Sequence, residues 1–574
     1  MWKHARRHAI LIEGDRQQAA HIAHNRLSIV GVFFVLFYFL ALVRLMDLSI
    51  VQGEFLRDHI YDAGQAETAV KTIAPRRGDI FDAHGFLVAT SLKTPSLFVD
   101  PSLVLDGDEL LRDLAVIFPD LDIEKAQKAI TAKNRFGWLK HSITPEQQQA
   151  VLEIGTPALG FQSEYKRIYP QGELFAHMVG YTDRDGLGLS GIERSYDDVL
   201  SAGDDVHLTL DLRLQHLVKR EVTMAMNSFN AKAATGLVMD AKTGEMLAAV
   251  SLPDFDLNSA NTATDFEKFN RLSLGVYELG SMFKIFSTAA LLETHDMGMD
   301  YTFDARKPIK VGWHTINDYH AQKRILTIPE VFMHSSNIGS AMMGEMVGAK
   351  GLQAFYADLG LMDKAQFDIR EVGAPIVPDP WRESTTMTVA YGHGLATSVL
   401  QMSSAVATIV NGGLSVRPSL VKDRGSRKSE VRVVSEETSD TMRKLLRLVV
   451  TKGTGKNAEV HGYDIGGKTG TAEKSIAGKY HRDKLISSFV GAFPMTDPKY
   501  VVMVMVDEPK GNEKSYGYAT AGWVAAPAAR HIVSSMASVL GIQAQRDASE
   551  PDISDELSPF IHEKKKGAKH LVSY

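Results

Sequence analysis

The strings Ser281-Met282-Phe283-Lys284, Ser335-Ser336-Asn337 and Lys468-Thr469-Gly470-Thr471 follow one another in this order along the chain, and together they supply the groups of an acyl-transferring serine enzyme. A hydroxyl and an amine three positions apart on a helix share a face one turn on, so Lys284 can reach the Ser281 oxygen and take its proton. The nucleophile then has a base without any histidine.

Each string is weak alone, and the chain holds decoys: Ser163-Glu164-Tyr165-Lys166, Ser228-Phe229-Asn230, Ser259-Ala260-Asn261 and Lys242-Thr243-Gly244. Context separates them. Lys242-Thr243-Gly244 sits between two apolar strand-like runs, with Asp240 opening and Gly244 closing a turn, and reads as a hairpin tip. Ser163 precedes an extended segment ending at Pro170. Gly280-Ser281, by contrast, opens the apolar run from Met282 to Glu293, the pattern of a buried helix. Ser281 therefore lies at a helix start, where the positive end of the dipole favours a developing anion.

The chain of 574 residues is long enough for several domains, and 44% hydrophobic residues is ample for large cores. A formal net charge of -6 gives no hint of nucleic acid binding. With no cysteine there is no disulfide, thiolate zinc site or cysteine nucleophile, which suits a bacterial envelope protein among other settings. No zinc-protease or P-loop string occurs. The expectation is a reaction run by side chains, with no metal and no cofactor.

From Leu27 to Val43 the sequence is almost unbroken apolar residues. With Leu45 and Met46 a helix here would be about 30 Å long, enough to cross a bilayer core. The run is longer than the usual signal-peptide core and no small-residue cleavage site follows it, so it reads as an uncleaved anchor. Lys3, Arg6, Arg7, Arg16 and Arg26 precede it against only Glu13 and Asp15, which keeps the N-terminus in the cytoplasm. The chain is thus expected to be a single-pass protein of the inner membrane with its bulk on the far side. The expected divisions are a cytoplasmic tail (1–26), the anchor (27–47), a turn-rich extended platform (48–205), an α+β domain with helices packed on an antiparallel sheet (206–543), and a flexible polar tail (544–574).

These features resemble the class B penicillin-binding proteins, membrane-anchored transpeptidases that cross-link peptidoglycan. The likeness spans nearly everything from the anchor to about residue 540. Besides the three opening strings, Arg77-Gly78-Asp79-Ile80-Phe81-Asp82 with Gly85, Arg167-Ile168-Tyr169-Pro170-Gln171-Gly172, and Gly191-Ile192-Glu193 look like that family's three N-terminal motifs. The resemblance implies a fold like that of penicillin-binding proteins and serine β-lactamases, raised from the membrane on a pedestal (dimerisation) domain. Asn337 in Ser335-Ser336-Asn337, Tyr391-Gly392-His393-Gly394, Gln401 and Val506-Asp507-Glu508-Pro509 are similar to the division, or FtsI-type, branch. One departure is Leu279, where the family usually has proline before Gly280-Ser281; losing that fixed φ should loosen the turn.

In that family's geometry Ser281 attacks the penultimate D-Ala carbonyl of a D-Ala-D-Ala stem peptide. Lys284 serves as base once burial and a nearby cation, Lys468, have lowered its pKa from about 10.4. Ser335 relays a proton to the leaving amine, and Asn337 holds the substrate amide and Lys284, with a helix cap as its rival role. Thr469 and Thr471 suit the substrate carboxylate, and the Ser281 and Thr471 N–H groups form the oxyanion hole. Gly470 is expected to let substrate backbone approach closely. His393 reads as a loop histidine, and Arg77 and Arg167 as structural ion-pair partners. The partners implied are β-lactams, an FtsW-type polymerase and other division proteins. The alternatives are an elongation-type transpeptidase, a β-lactamase or β-lactam sensor, and an inactive division scaffold; residues 49–205 resemble the pedestal and leave little room for the second enzyme of a bifunctional glycosyltransferase.

Overall fold

The computed structural model describes residues 31–42, 76–312, 314–422, 431–476, 479–544 and 551–562. The chain divides into two units, Met1–Ala74 and Pro75–Tyr574. In the first, residues 31–42 form a helix with exposed side chains. Both ends of the expected anchor (27–30 and 43–47) and all of the expected cytoplasmic tail lie outside the described residues, and among those described no helix is long and apolar enough to cross a membrane.

The second unit begins with the pedestal. Strands β1 (Ile80–Phe81), β2 (Leu87–Val99), β3 (Gly137–Lys140), β4 (Leu159–Ile168) and β5 (Val206–His207) form one sheet, in which β2 runs antiparallel to β4 from Thr90↔Ile168 to Val99↔Leu159. Three helices, Gly107–Ile117, Ile123–Ile130 and Pro145–Glu153, start at Asp106, Asp122 and Thr144, whose side chains accept backbone N–H groups of the first turn. Their apolar faces close a small core around Leu97, Leu114, Phe118 and Ile130. Within the pedestal the three N-terminal motifs meet: Arg77 Nε and Arg167 Nε each donate to one oxygen of the fully buried Glu193, both at 2.7 Å. Arg77 and Arg167 are structural ion-pair partners, as their motifs imply.

β5 pairs parallel with β1 and leads into the larger domain. Val206 to Asp211 alternates apolar and polar residues like a strand, but only Val206–His207 pairs as one, and the helix that follows runs from Leu212 to Ser228 with Asp211 as its cap. Strands β6 (Ala233–Asp240) and β7 (Met246–Leu252) form the expected hairpin, its tip fixed by Asp240 accepting the Lys242 and Thr243 N–H groups and by Gly244 at φ +78°. Two short antiparallel pairs, β8 (Thr302–Asp304) with β11 (Ile325–Thr327) and β9 (Ile309–Val311) with β10 (His314–Ile316), precede the Ser335 region. Strands β12 (Gly466–Ile476), β13 (Lys479–Phe493) and β14 (Tyr500–Asp507) complete an antiparallel sheet in the order β12-β13-β14-β6-β7. One face carries helices Leu212–Ser228 and Ala525–Leu540, the other the helical half with Lys284–Thr294 and Val399–Val410. The domain is the expected α+β arrangement.

The expectation of a flexible tail after 544 fails for residues 551–562. A 3-10 helix, Ile553–Phe560, is docked on the domain with Leu557 and Ser554 buried. Its polar composition hid one apolar face, which is enough for a short segment to dock when each charge on the other face finds a partner.

Candidate active site

The Ser281 segment is not a plain α-helix. Gly280–Phe283 is a 3-10 turn and the α-helix proper runs from Lys284 to Thr294, with every residue from Met282 to Leu291 buried. Gly280 sits at φ +57°, and a Cβ there would lie 2.9 Å from the Thr471 carbonyl. The turn is therefore pressed against β12, the edge strand of the sheet. Leu279 is fully buried; apolar packing holds the turn at the place where proline was expected.

Gly470 has a different cause from the one anticipated. A Cβ on it would come within 2.3 Å of the Leu279 carbonyl and 2.9 Å of Ser488 Oγ. The glycine is dictated by the close approach of β12 to the Ser281 turn, which brings two of the three opening strings into contact.

The third string arrives from a capped helix. Ile328–His334 begins with a Thr327/Glu330 capping box and ends at Ser335, a non-glycine residue in the left-handed conformation at φ +56°. Such a residue costs on the order of 1 kcal/mol. The kink turns both the carbonyl and the hydroxyl of Ser335 toward Lys284, whose Nζ donates to Ser335 O at 2.6 Å, to Asn337 Oδ1 at 2.7 Å and to Ser335 Oγ at 3.1 Å. From the opposite side Lys468 Nζ donates to Ser335 Oγ at 2.9 Å. Asn337 is no helix cap: Ser336 accepts the Gly339 N–H, and Asp318 accepts both the Ser336 hydroxyl and the Ile338 N–H. Freed from capping, Asn337 holds Lys284 with its oxygen while its Nδ2 donates to the Asn317 carbonyl at 2.8 Å.

Both amines are 0% exposed. Burial, then the neighbouring Lys468 charge, push Lys284 well below the ordinary lysine value, against a smaller opposing pull from Asp318. Burial pushes Lys468 down to about 7. A neutral Lys284 has two N–H groups and a lone pair. Ser335 O and Asn337 Oδ1 can only accept, so they take the two N–H groups, and the lone pair is left for a hydroxyl hydrogen. The helix spacing brings Ser281 to the same region, although among the described residues none of the Lys284 hydrogen bonds goes to it. The Thr471 hydroxyl accepts the Ala521 N–H at 3.0 Å, which leaves its hydrogen free for an anion, and Thr469 shares a hydrogen with Thr454 at 2.7 Å.

Several residues at the site were missed by the sequence reading or given too small a part by it. Glu278, three positions before Ser281, accepts the Tyr480 hydroxyl at 3.0 Å and the Gly394 N–H at 3.2 Å, which ties the β12–β13 hairpin to the Ser281 turn. Burial raises its carboxyl above the usual range. His393 lies between the Tyr391 and Tyr480 rings. Burial and then the Lys284 charge push it down to about 4, so it is a neutral wall of the site and more than a loop histidine. Asp318 and Asn317 belong to a loop with no motif. Only a sequence-distant pairing, such as an acidic residue facing a helix start, could have pointed to them.

A family model described as the penicillin binding protein transpeptidase domain matches residues 234–534, and one described as the penicillin-binding protein dimerisation domain matches residues 72–209. The chain is 38% identical to the probable peptidoglycan D,D-transpeptidase FtsI of Caulobacter vibrioides, over 84% of each chain. It is 31% identical to stage V sporulation protein D of Bacillus subtilis, over 92% of this chain and 87% of that one. Among solved structures it is similar to penicillin binding protein 3 of Mycobacterium tuberculosis complexed with ampicillin, with a TM-score of 0.66 and 27% identity over 83% of this chain and 98% of that one. With its pedestal matching the dimerisation domain and its sheet and three motifs inside the transpeptidase domain, the chain belongs to the class B penicillin-binding proteins.

Proposed function

We propose that this chain is a peptidoglycan D,D-transpeptidase of the division septum that works through an acyl-enzyme on Ser281. The observation that carries the chemistry is the pair of fully buried amines on one serine hydroxyl: the Nζ atoms of Lys284 and Lys468 both lie within hydrogen-bond distance of Ser335 Oγ, at 3.1 and 2.9 Å. Two cations cannot both persist there, so one amine is neutral and can accept a proton. Lys284 is that base, and Lys468, able to stay charged near neutral pH, is the acid and the anchor for a substrate carboxylate.

The steps balance. Ser281 Oγ attacks the carbonyl of the penultimate D-Ala as its proton passes to Lys284, and the Ser281 and Thr471 N–H groups receive the oxyanion. The C–N bond then breaks. The terminal D-Ala amine leaves with a proton relayed through Ser335 from Lys468, while Asn337 orients Lys284 and the donor amide. An amine of a second stem peptide next attacks the ester and loses its proton through Ser335 to Lys468, while the C–O bond breaks and Ser281 takes back the proton held by Lys284 as the cross-link forms. The unpaired edge of β12, with Thr469 and Thr471, is where the extended donor peptide lies as an added strand. A β-lactam enters by the same attack, with its ring amide in place of the peptide bond.

The septal assignment rests on Asn337, on the Tyr391-to-Gly394 string, and on the FtsI name of the Caulobacter relative. With it come an inner-membrane anchor at 27–47, a periplasmic catalytic domain and an FtsW-type polymerase as partner. Incubating the purified full chain with fluorescent penicillin, beside Ser281→Ala, tests the chemistry: a stable adduct mapped to Ser281 and lost in the variant is expected. Rapid turnover of the adduct would instead indicate a β-lactamase, and its absence in folded protein a scaffold. Depletion in cells that grow as undivided filaments supports the septal role; loss of rod shape would overturn it in favour of elongation.

A further inference from the structure

We propose that the docked C-terminal segment, residues 551–562, is a positioning clamp that sets the distance between Ser335 and Lys468. The proposal rests on the acyl-transfer reading of the site and adds residues that never touch substrate.

The two groups come from elements far apart in the chain, and the segment grips both. Its first grip is on the β12 side. Asp552 Oδ2 accepts Arg447 Nε at 2.8 Å; the remaining nitrogens of Arg447, which is buried, donate to Glu459 at 2.6 and 2.9 Å and to the Ile465 carbonyl at 2.7 Å. Ile465 is the residue before β12, three positions from Lys468. The Arg447 helix (Glu436–Thr451) also abuts the strand's first residue, since a Cβ on Gly466 would lie 2.8 Å from the Arg447 backbone nitrogen. The second grip is on the Ser335 side. Thr327 Oγ1 donates to the Phe560 carbonyl at 2.7 Å, and the His562 N–H donates to Glu330 Oε1 at 2.6 Å. Thr327 and Glu330 are the two members of the capping box that starts Ile328–His334, the helix that delivers Ser335. Between the grips Leu557 is buried in the core that holds Ile328, Val331, Phe332 and Leu445.

A short, continuous stretch of chain thus ties the start of the Ser335 helix to the start of the Lys468 strand. Ser335 leaves its helix in a left-handed kink, so a small tilt of that helix is converted into a displacement of the hydroxyl from Lys468. Proton transfer falls off steeply with that distance, whereas the donor's binding edge at Thr469 to Thr471 is held independently by its pairing with β13 and its packing on the Ser281 turn.

The test is stopped-flow acylation of the full chain, in detergent, by a chromogenic cephalosporin, resolved into the binding constant and the acylation rate k2, well below each variant's melting temperature. Asp552→Ala with Leu557→Ala is expected to lower k2 about ten-fold with binding within two-fold of wild type. Asp552→Asn, which keeps the shape, serves if the double variant does not fold, with k2 expected two- to three-fold lower and Asp552→Glu restoring it. A melting temperature that drops while k2 stays within two-fold of wild type makes the segment a stability element and overturns the clamp alone. If the wild-type chain is not acylated on Ser281, the reading of the site falls and takes the clamp with it.

Discussion

In the pedestal the fully buried Glu193 sits between Arg77 and Arg167, each donating to one of its oxygens, and Asp197 takes a further Arg77 nitrogen at 2.8 Å. At the catalytic centre Lys284 and Lys468 are as deeply buried, but among the described residues neither has a carboxylate within salt-bridge distance; both point at the Ser335 hydroxyl. The two clusters meet the same desolvation penalty differently. The pedestal neutralises its charges by pairing them, which fixes geometry and gives no proton to move. The catalytic centre leaves amines unpaired, so burial lowers their proton affinity and a base and an acid come into being. Buried charge is structural where it is matched and reactive where it is not.

Breaking the match in the pedestal should have the largest effect. Glu193→Gln leaves two buried guanidinium groups facing a neutral amide and is expected to destabilise the chain by about 3–5 kcal/mol, read as a fall in the denaturation midpoint. The penicillin acylation rate of the fraction still folded should stay within a few-fold of wild type, because no group at Ser281 is altered. The reverse outcome is expected of Lys284→Met. Removing the base should slow acylation on the order of 10³-fold, with little loss of stability, since an amine that was costly to bury has gone. A Lys284→Met protein that acylates at a near-normal rate would remove Lys284 from the role of base.

That division also explains what could be read in the sequence. The reactive residues were legible because their spacing is short: Ser281 with Lys284, Ser335 with Asn337, Lys468 with Thr471. The β6–β7 hairpin was legible from its two apolar runs and from Asp240 and Gly244. What the sequence did not disclose lies in long-range contacts. Nothing near Asp318 says that it caps the helix of Asn337, and nothing near Asp552 says that it reaches Arg447. Nor does local sequence tell why Gly470 is a glycine, because the atom it must avoid, the Leu279 carbonyl, is nearly two hundred residues away. Gly470→Ala measures that contact: overpacking there is expected to cost about 1–3 kcal/mol of stability and to slow acylation as well, because the strand can retreat only by carrying Thr471 away from Ser281. Slower acylation with unchanged stability would instead mean that the added methyl obstructs substrate, as first expected of a bare strand.

The smallest effect is the most discriminating, since it concerns an amine whose two tasks oppose each other. Lys468 is held near 7, below the value of about 10.4 that it has in an unfolded chain. At pH below 7 both states carry the proton and the folded state bears the full penalty of a buried charge. As pH rises through 7 the folded state releases its proton first, so the unfolded chain binds more protons and stability increases until the unfolded lysine titrates near 10. Replacing the amine by an apolar side chain should therefore stabilise the protein most at low pH and not at all near pH 10. Lys468→Met is expected to gain about 1 kcal/mol at pH 6 to 7, the low end for removing a buried ion because Ser335 loses a donor, and the difference in melting temperature from wild type should vanish by pH 10. Activity runs the other way. The carboxylate anchor needs the charged form, so wild-type acylation should decline above pH 7 while Lys468→Arg, whose guanidinium keeps its charge, loses that alkaline limb whatever its absolute rate. A wild-type profile flat from pH 7 to 9, together with no pH-dependent gain in Lys468→Met, would show that Lys468 is as well matched as the pedestal arginines.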